Sequence, residues 1–203
     1  RVPESLDAAG AAPLLCAGIT TFNALRNSDA QPGDLVAVQG VGGLGHLGIQ
    51  YAHAAGFETV AISRGTDKRD LALDLGADHY VDSEAEDPGE ALQALGGAKV
   101  VLGTAPHAEA MESVLGGLGL EGELIAVGIP GEELDVPVQP LIQGRRSVSG
   151  WASGDARDSQ DTLEFSALRD IESTVETYDL AETGEAYERM LESEARFRAV
   201  LTP

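Results

Sequence analysis

Gly40, Gly42 and Gly45 stand at G-x-G-x-x-G spacing behind the apolar run Leu35–Val38, with Gly43 and Leu44 completing the bend. Each position has a physical task. A glycine at the first lets the chain turn sharply out of a strand. At the second it lets the backbone approach a large anion, and at the third it lets a helix pack closely on its strand. Free N–H groups at the helix start, with the positive end of the helix dipole, suit a pyrophosphate. Further on come Ser63, Arg64 and Lys68, which offer a hydroxyl, a charged fork and an ammonium. Those groups suit a phosphate monoester.

Positioning them requires a βαβ unit. A strand over Leu35–Val38 leads into the bend. A helix follows with Leu44, Leu47, Tyr51 and Ala54 on one face and Gly56 at its end, and a second strand runs over Thr59–Ser63. An acid at the end of that strand would bind a ribose 2′-hydroxyl, but the residues there are Ser63-Arg64-Gly65. NADP is therefore expected, with NAD as second choice. His46 is expected to be a solvated helix residue.

The rest of the chain continues the alternation. Helices are expected near Asp7–Leu25, Asp67–Leu75, Glu90–Leu95 and Ala108–Leu115, and strands at His79–Val81, Val100–Leu102, Glu123–Val127 and Ser147–Trp151. The pattern implies an α/β fold: a doubly wound parallel sheet, the Rossmann fold. Leu134–Val138 contains Pro137 and reads as an edge strand or exposed arm. A helix at Asp161–Leu168, a strand at Thr174–Tyr178, a helix at Ala181–Leu191 and a strand at Phe197–Leu201 form an α+β appendage expected to pack beside the sheet.

Composition narrows the partners. The chain has 203 residues, 34 acids against 13 Lys and Arg, and a net charge of −21, which argues against nucleic acid and anionic membranes. No membrane span and no leader pattern are read, so a cytoplasmic setting is expected. A single cysteine, Cys16, excludes an intrachain disulfide. Lys68 and Lys99 are the only lysines. An acid-covered, lysine-poor surface fits a high-salt cytoplasm, where a Debye length of about 3 Å at 1 M screens self-repulsion. Molar KCl is expected to raise the melting temperature; a temperature indifferent to salt would count against this reading.

C-A-G-I-T-T-F at Cys16, G-V-G-G-L-G at Gly40, L-G-A-D at Leu75 and F-R-A-V-L at Phe197 occur in this order. Together they resemble the zinc-dependent medium-chain alcohol dehydrogenases, in particular the cinnamyl-type, NADP-dependent branch. The resemblance implies that residues 18–157 are the nucleotide-binding domain. Residues 1–17 and 158–203 would then flank it as parts of a catalytic domain whose N-terminal portion is missing here. It implies hydride transfer between an alcohol or aldehyde and NADP(H), with the fragment alone inactive.

The same resemblance assigns further roles. Cys16 would be a ligand of the catalytic zinc in the intact enzyme, with no zinc expected in this fragment. Thr20 would lie against the nicotinamide. Backbone groups of Thr104 and Ala105, with those of Val127, Gly128 and Ile129, would hold its ribose and carboxamide. Arg198 would lie near the pyrophosphate, and a homodimer or tetramer would form through the Rossmann sheet edge. Two alternatives stay open. One is a non-catalytic nucleotide-binding module; the other is a quinone reductase-like NADPH oxidoreductase without zinc, against which Cys16 speaks.

Overall fold

The computed structural model describes residues 1–192 and 194–203. Six strands form one sheet: β1 (Leu35–Gln39), β2 (Glu58–Ser63), β3 (His79–Asp82), β4 (Ala98–Gly103), β5 (Leu118–Ala126) and β6 (Ser147–Gly150). The order is β3-β2-β1-β4-β5-β6 and every pairing is parallel. Parallel neighbours need crossover connections, so helices cover both faces. The chain moves one way from β1 to β3 and then returns past β1 to β4. That reversal leaves a crevice beyond the carboxyl ends of β1 and β4.

Period-2 alternation divides the core. Val36, Val100 and Leu102 pack on one face against Leu47 and Tyr51 of α3 (Gly45–Ala54). Ala37, Val60, Ile62 and Val101 face the other way, toward Leu92 of α5 (Pro88–Ala94) and Met111 of α6 (Ala108–Glu112). Val38 and Ala61 share a third cluster with Ile49 of α3 and Ala72 of α4 (Arg69–Asp74). All five β1 residues are buried, as expected for a central strand covered on both sides.

Before the sheet, α1 (Ala8–Pro13), a wider π turn (Leu14–Gly18) and α2 (Ile19–Arg26) form one continuous helical stretch. By length and apolarity it could cross a bilayer, which the sequence reading did not anticipate. Over half of it is buried inside the protein, against α3 and α8 (Ala156–Leu168) among others. Asp7 caps its start by accepting from Gly10 N–H. Pro13 supplies no N–H to the helix ladder, and the wider turn begins at the next residue. Cys16 lies exposed on that turn.

Of the two readings of Leu134–Val138, edge strand or exposed arm, the strand is absent and the segment is an arm. Leu134–Pro137 is irregular and leads into α7 (Val138–Gly144), with Pro137 as N-cap. Pro140 falls in the first turn of α7, where a missing N–H costs nothing; the prolines that spoil a strand suit a helix start. Helix α8 begins earlier than expected because Asp155 and Asp158 form a capping box. The final segment forms its own parallel pair, β7 (Val175–Asp179) and β8 (Arg198–Thr202), linked through α9 (Thr183–Leu191). Glu176 accepts from Arg189 Nε at 3.0 Å, from the Arg196 N–H at 3.0 Å and from the Tyr178 hydroxyl at 2.8 Å. These bonds hold its carboxyl down to about 2.

Candidate functional site

The glycine bend sits where β1 gives way to α3. Gly40 has φ 101°, a left-handed conformation that side chains strain to adopt, and its N–H donates to Ile62 O at 2.8 Å. A Cβ on Gly45 would collide with the Gly40 carbonyl oxygen, so the helix start lies directly against the turn. A Cβ on Gly42 would meet nothing within 4 Å. That open space above backbone amides at the start of a ten-residue helix is a cradle for an anion. Gly43 and Leu44 complete the cradle and are half-buried.

The floor of the crevice is tied by Thr104. Its buried hydroxyl donates to Gln39 O at 2.9 Å and Gly40 O at 3.2 Å. That side chain therefore holds the end of β1 to the end of β4, while the nicotinamide contact expected here is one of backbone groups. Ala105 N–H meets Gln39 Oε1 at 3.4 Å. Val127 and Gly128 both donate N–H to Gly103 O at 2.9 Å. A Cβ on Gly128 would fall within 2.7 Å of the Thr104 and Ala105 carbonyl oxygens, so the two loops run in contact. Ile129, 87 % exposed, stands beyond them without apolar cover.

Ser63 closes β2 and Arg64 follows it, exposed. Lys68 precedes α4 and is half-buried. Its pKa is lowered by burial first, then by the charges of Arg196 and Arg64, while Asp67 opposes them. Among the described residues none of the three cations forms a salt bridge. In a chain of net charge −21, three neighbouring cations left without carboxylate partners leave room for an anion.

The C-terminal pair reaches into this site. Arg198 Nε donates to Gly43 O at 3.1 Å, and burial lowers the guanidinium pKa against a raising influence from Cys16. Thr20, by contrast, directs its hydroxyl to Cys16 O at 2.7 Å, within its own helix.

His46 departs from expectation. It is fully buried rather than solvated, and its ring stacks on Phe197 with centroids 5.0 Å apart. Nδ1 donates to Gly42 O at 2.9 Å and Nε2 accepts the Thr174 N–H at 3.2 Å. An imidazole bonded this way is neutral, and burial pushes its pKa down to about 4. His46 thus fastens the start of β7 to the glycine bend. Position 46 in the sequence shows only a helix residue; its partners Thr174 and Phe197 lie far along the chain.

Known proteins resemble this chain in sequence and fold. Residues 43–168 match the family described as zinc-binding dehydrogenase. The chain belongs to that family. It is 44 % identical over 202 residues to alcohol dehydrogenase patD of Penicillium expansum, covering all of this chain and 59 % of that protein. It is 38 % identical over 201 residues to NADP-dependent alcohol dehydrogenase C 1 of Mycolicibacterium smegmatis, covering 99 % of this chain and 57 % of the relative. The solved cinnamyl alcohol dehydrogenase SbCAD4 of Sorghum bicolor superposes with a TM-score of 0.89 at 32 % identity, over 99 % of this chain and 57 % of that one. The chain therefore spans under two thirds of these relatives' length.

The family implies zinc and a nicotinamide cofactor, and the residues fit them differently. Among the described residues no three His, Cys, Asp or Glu side chains come together, and Cys16 alone does not make a zinc site. The open glycine cradle and the unpaired cations fit a phosphorylated dinucleotide.

Proposed function

We propose that this chain is the cofactor-holding part of an alcohol dehydrogenase that uses NADP(H). The observation that carries the reading is the pairing of an open glycine cradle at the end of β1 with Ser63, Arg64 and Lys68 at the end of β2. The neighbouring strands β1 and β2 are in parallel register, so their ends lie side by side, as a pyrophosphate and its adjoining adenosine require. The NADP-dependent relative supports the choice of cofactor.

When bound, the nicotinamide supplies the hydride exchanged with an alcohol or aldehyde. The chain's own residues bind and orient. Backbone amides of Gly42 to Gly45 receive the pyrophosphate, and Arg198, already bonded to Gly43, neutralises it. Ser63, Arg64 and Lys68 grip the 2′-phosphate. Thr104, Ala105, Val127, Gly128 and Ile129 border the nicotinamide end, where Thr104 keeps the two strand ends together. The division into a nucleotide-binding part, residues 18–157, and flanking parts of a catalytic domain belongs to this proposal. So does Cys16 as a zinc ligand, whose fellow ligands would come from beyond these residues.

Titrating NADPH and NADH against the wild type and Arg64→Asp tests the cofactor choice. A charge-assisted phosphate contact contributes about 1.5–3 kcal/mol, so the wild type should prefer NADPH by roughly ten- to a hundred-fold. Arg64→Asp should remove or reverse that preference. Equal wild-type affinities would sink the assignment.

We also propose pairing of two copies through β6, the last strand of the sheet. Its outer edge offers unpaired backbone groups. Sedimentation at micromolar concentration should find a dimer or a larger assembly, and a monomer would defeat the proposal.

A further inference from the structure

The segment leading into β8 brings more than Arg198 to the nucleotide site. Phe197 is buried in the same apolar cluster as Val38 and Val41 at the end of β1, Ala61 of β2 and Ala72 of α4. That ring is a peg set under the region between the glycine bend and the start of α4. The residues on either side of the peg are both arginines. Arg198 bonds Gly43 and so serves the pyrophosphate end. Arg196 is exposed, with its guanidinium 6.0 Å from the Phe197 ring centroid, and its charge acts on Lys68 more strongly than that of Arg64 does.

Its backbone is held as firmly as its neighbour's. The Arg196 N–H donates to Glu176 Oε1 at 3.0 Å, and the Phe197 N–H donates to Thr174 O at 3.0 Å. Among the described residues the Arg196 side chain has no carboxylate partner. Like charges brought together in an acid-rich chain suit an anion placed among them.

We infer that Arg196 is a specificity-determining residue of the 2′-phosphate site, a third cation beside Arg64 and Lys68 that the segment leading into β8 delivers. The inference rests on the NADP reading above. It makes phosphate recognition a joint property of the six-stranded sheet and the β7–β8 unit. A phosphorylated cofactor would then clamp the C-terminal unit to the sheet at both ends of its ADP half, through Arg198 and Arg196, whereas NAD would engage only the first.

The test is calorimetric titration of the wild type, Arg196→Gln, Arg196→Lys and Arg64→Asp with NADPH, NADH, 2′,5′-ADP and 5′-ADP. Arg196→Gln should weaken NADPH and 2′,5′-ADP about ten-fold, the loss of one charged contact, and leave NADH and 5′-ADP within about two-fold. Arg196→Lys should retain most of the affinity. Suppose Arg196→Gln leaves NADPH binding unchanged, or weakens all four ligands alike, while Arg64→Asp removes the preference. The role of Arg196 is then refuted and the NADP reading stands. A wild type indifferent to the 2′-phosphate overturns both. Because Arg196 is exposed and its held group is the backbone N–H, the variant should melt with the wild type, which checks that a change in affinity is not a folding defect.

Discussion

Replacing Gly45 with alanine should destabilise the protein by about 3 kcal/mol or more and weaken NADPH binding over about a hundred-fold. The added methyl would overlap the Gly40 carbonyl oxygen and crowd the Gly40 carbonyl carbon at 2.8 Å and Thr104 Oγ1 at 3.3 Å. The first obstacles are backbone, which cannot swing aside as the end of a side chain can. Gly40 is itself held by its N–H bond to Ile62 O and by the Thr104 hydroxyl on its own carbonyl. Relief therefore requires α3 to lift from β1, which opens the packing of Leu47 and Ile49. For a domain of this size the melting temperature should fall by about 6–12 °C.

Gly42→Ala supplies the contrast. Its methyl meets nothing within 4 Å in the free protein, so stability should hardly change. NADPH affinity should still fall at least about ten-fold, because the methyl takes space a pyrophosphate needs. Differential scanning calorimetry and cofactor titration of the two variants separate the packing role from the binding role. A Gly45→Ala protein that melts and binds like the wild type would disprove the packing argument.

The second large effect is a loss of stability in mild acid traced to His46. Its folded pKa of about 4 lies below the unfolded value of 6.5, mainly because burial disfavours the charged ring. A depressed folded pKa means that the unfolded chain takes up the proton more readily. The contribution is therefore complete above pH 6.5 and is lost as pH falls from 6.5 toward 4. Two and a half units correspond to about 3 kcal/mol, most of it gone by pH 4.5. There is a structural reason as well. Protonated Nε2 would face the Thr174 N–H, donor against donor, and the bond joining β7 to the glycine bend would fail.

Carboxylates also titrate in this range, so the measurement is a difference. His46→Asn keeps an amide that can donate to Gly42 O and loses the titration. Its stability gap to the wild type, from urea unfolding, should shrink by about 2–3 kcal/mol between pH 7.5 and pH 4.5. A gap that stays constant would mean that His46 is not a buried neutral ring in the folded protein.

The βαβ unit was legible because its signals are local. Alternation and apolar runs mark the strands, glycine spacing marks the bend, and the absence of an acid after Ser63 bears on the cofactor. Leu134–Val138 stayed open between edge strand and exposed arm for an equally local reason: Pro137 excludes a central strand yet suits both an irregular arm and a helix N-terminus, and neighbouring residues alone do not choose between them. His46, Thr104 and Arg196 were beyond local reading. The Thr104 hydroxyl bonds Gln39 and Gly40, partners some 65 positions earlier that its neighbours in sequence do not reveal.

The sequence by itself determined the doubly wound class, the cradle and its cation-bearing neighbour, since each depends on residue type at short spacing. The resemblance put Arg198 near the pyrophosphate, but only the tertiary structure decided what else the end of the chain brings to the glycine bend. There Phe197 is buried, His46 is held neutral, the charge of Arg196 acts on Lys68, and Arg198 bonds Gly43, 155 positions away. The physical reason is that burial and charge are properties of surroundings. Those surroundings are assembled from segments whose proximity no local pattern encodes.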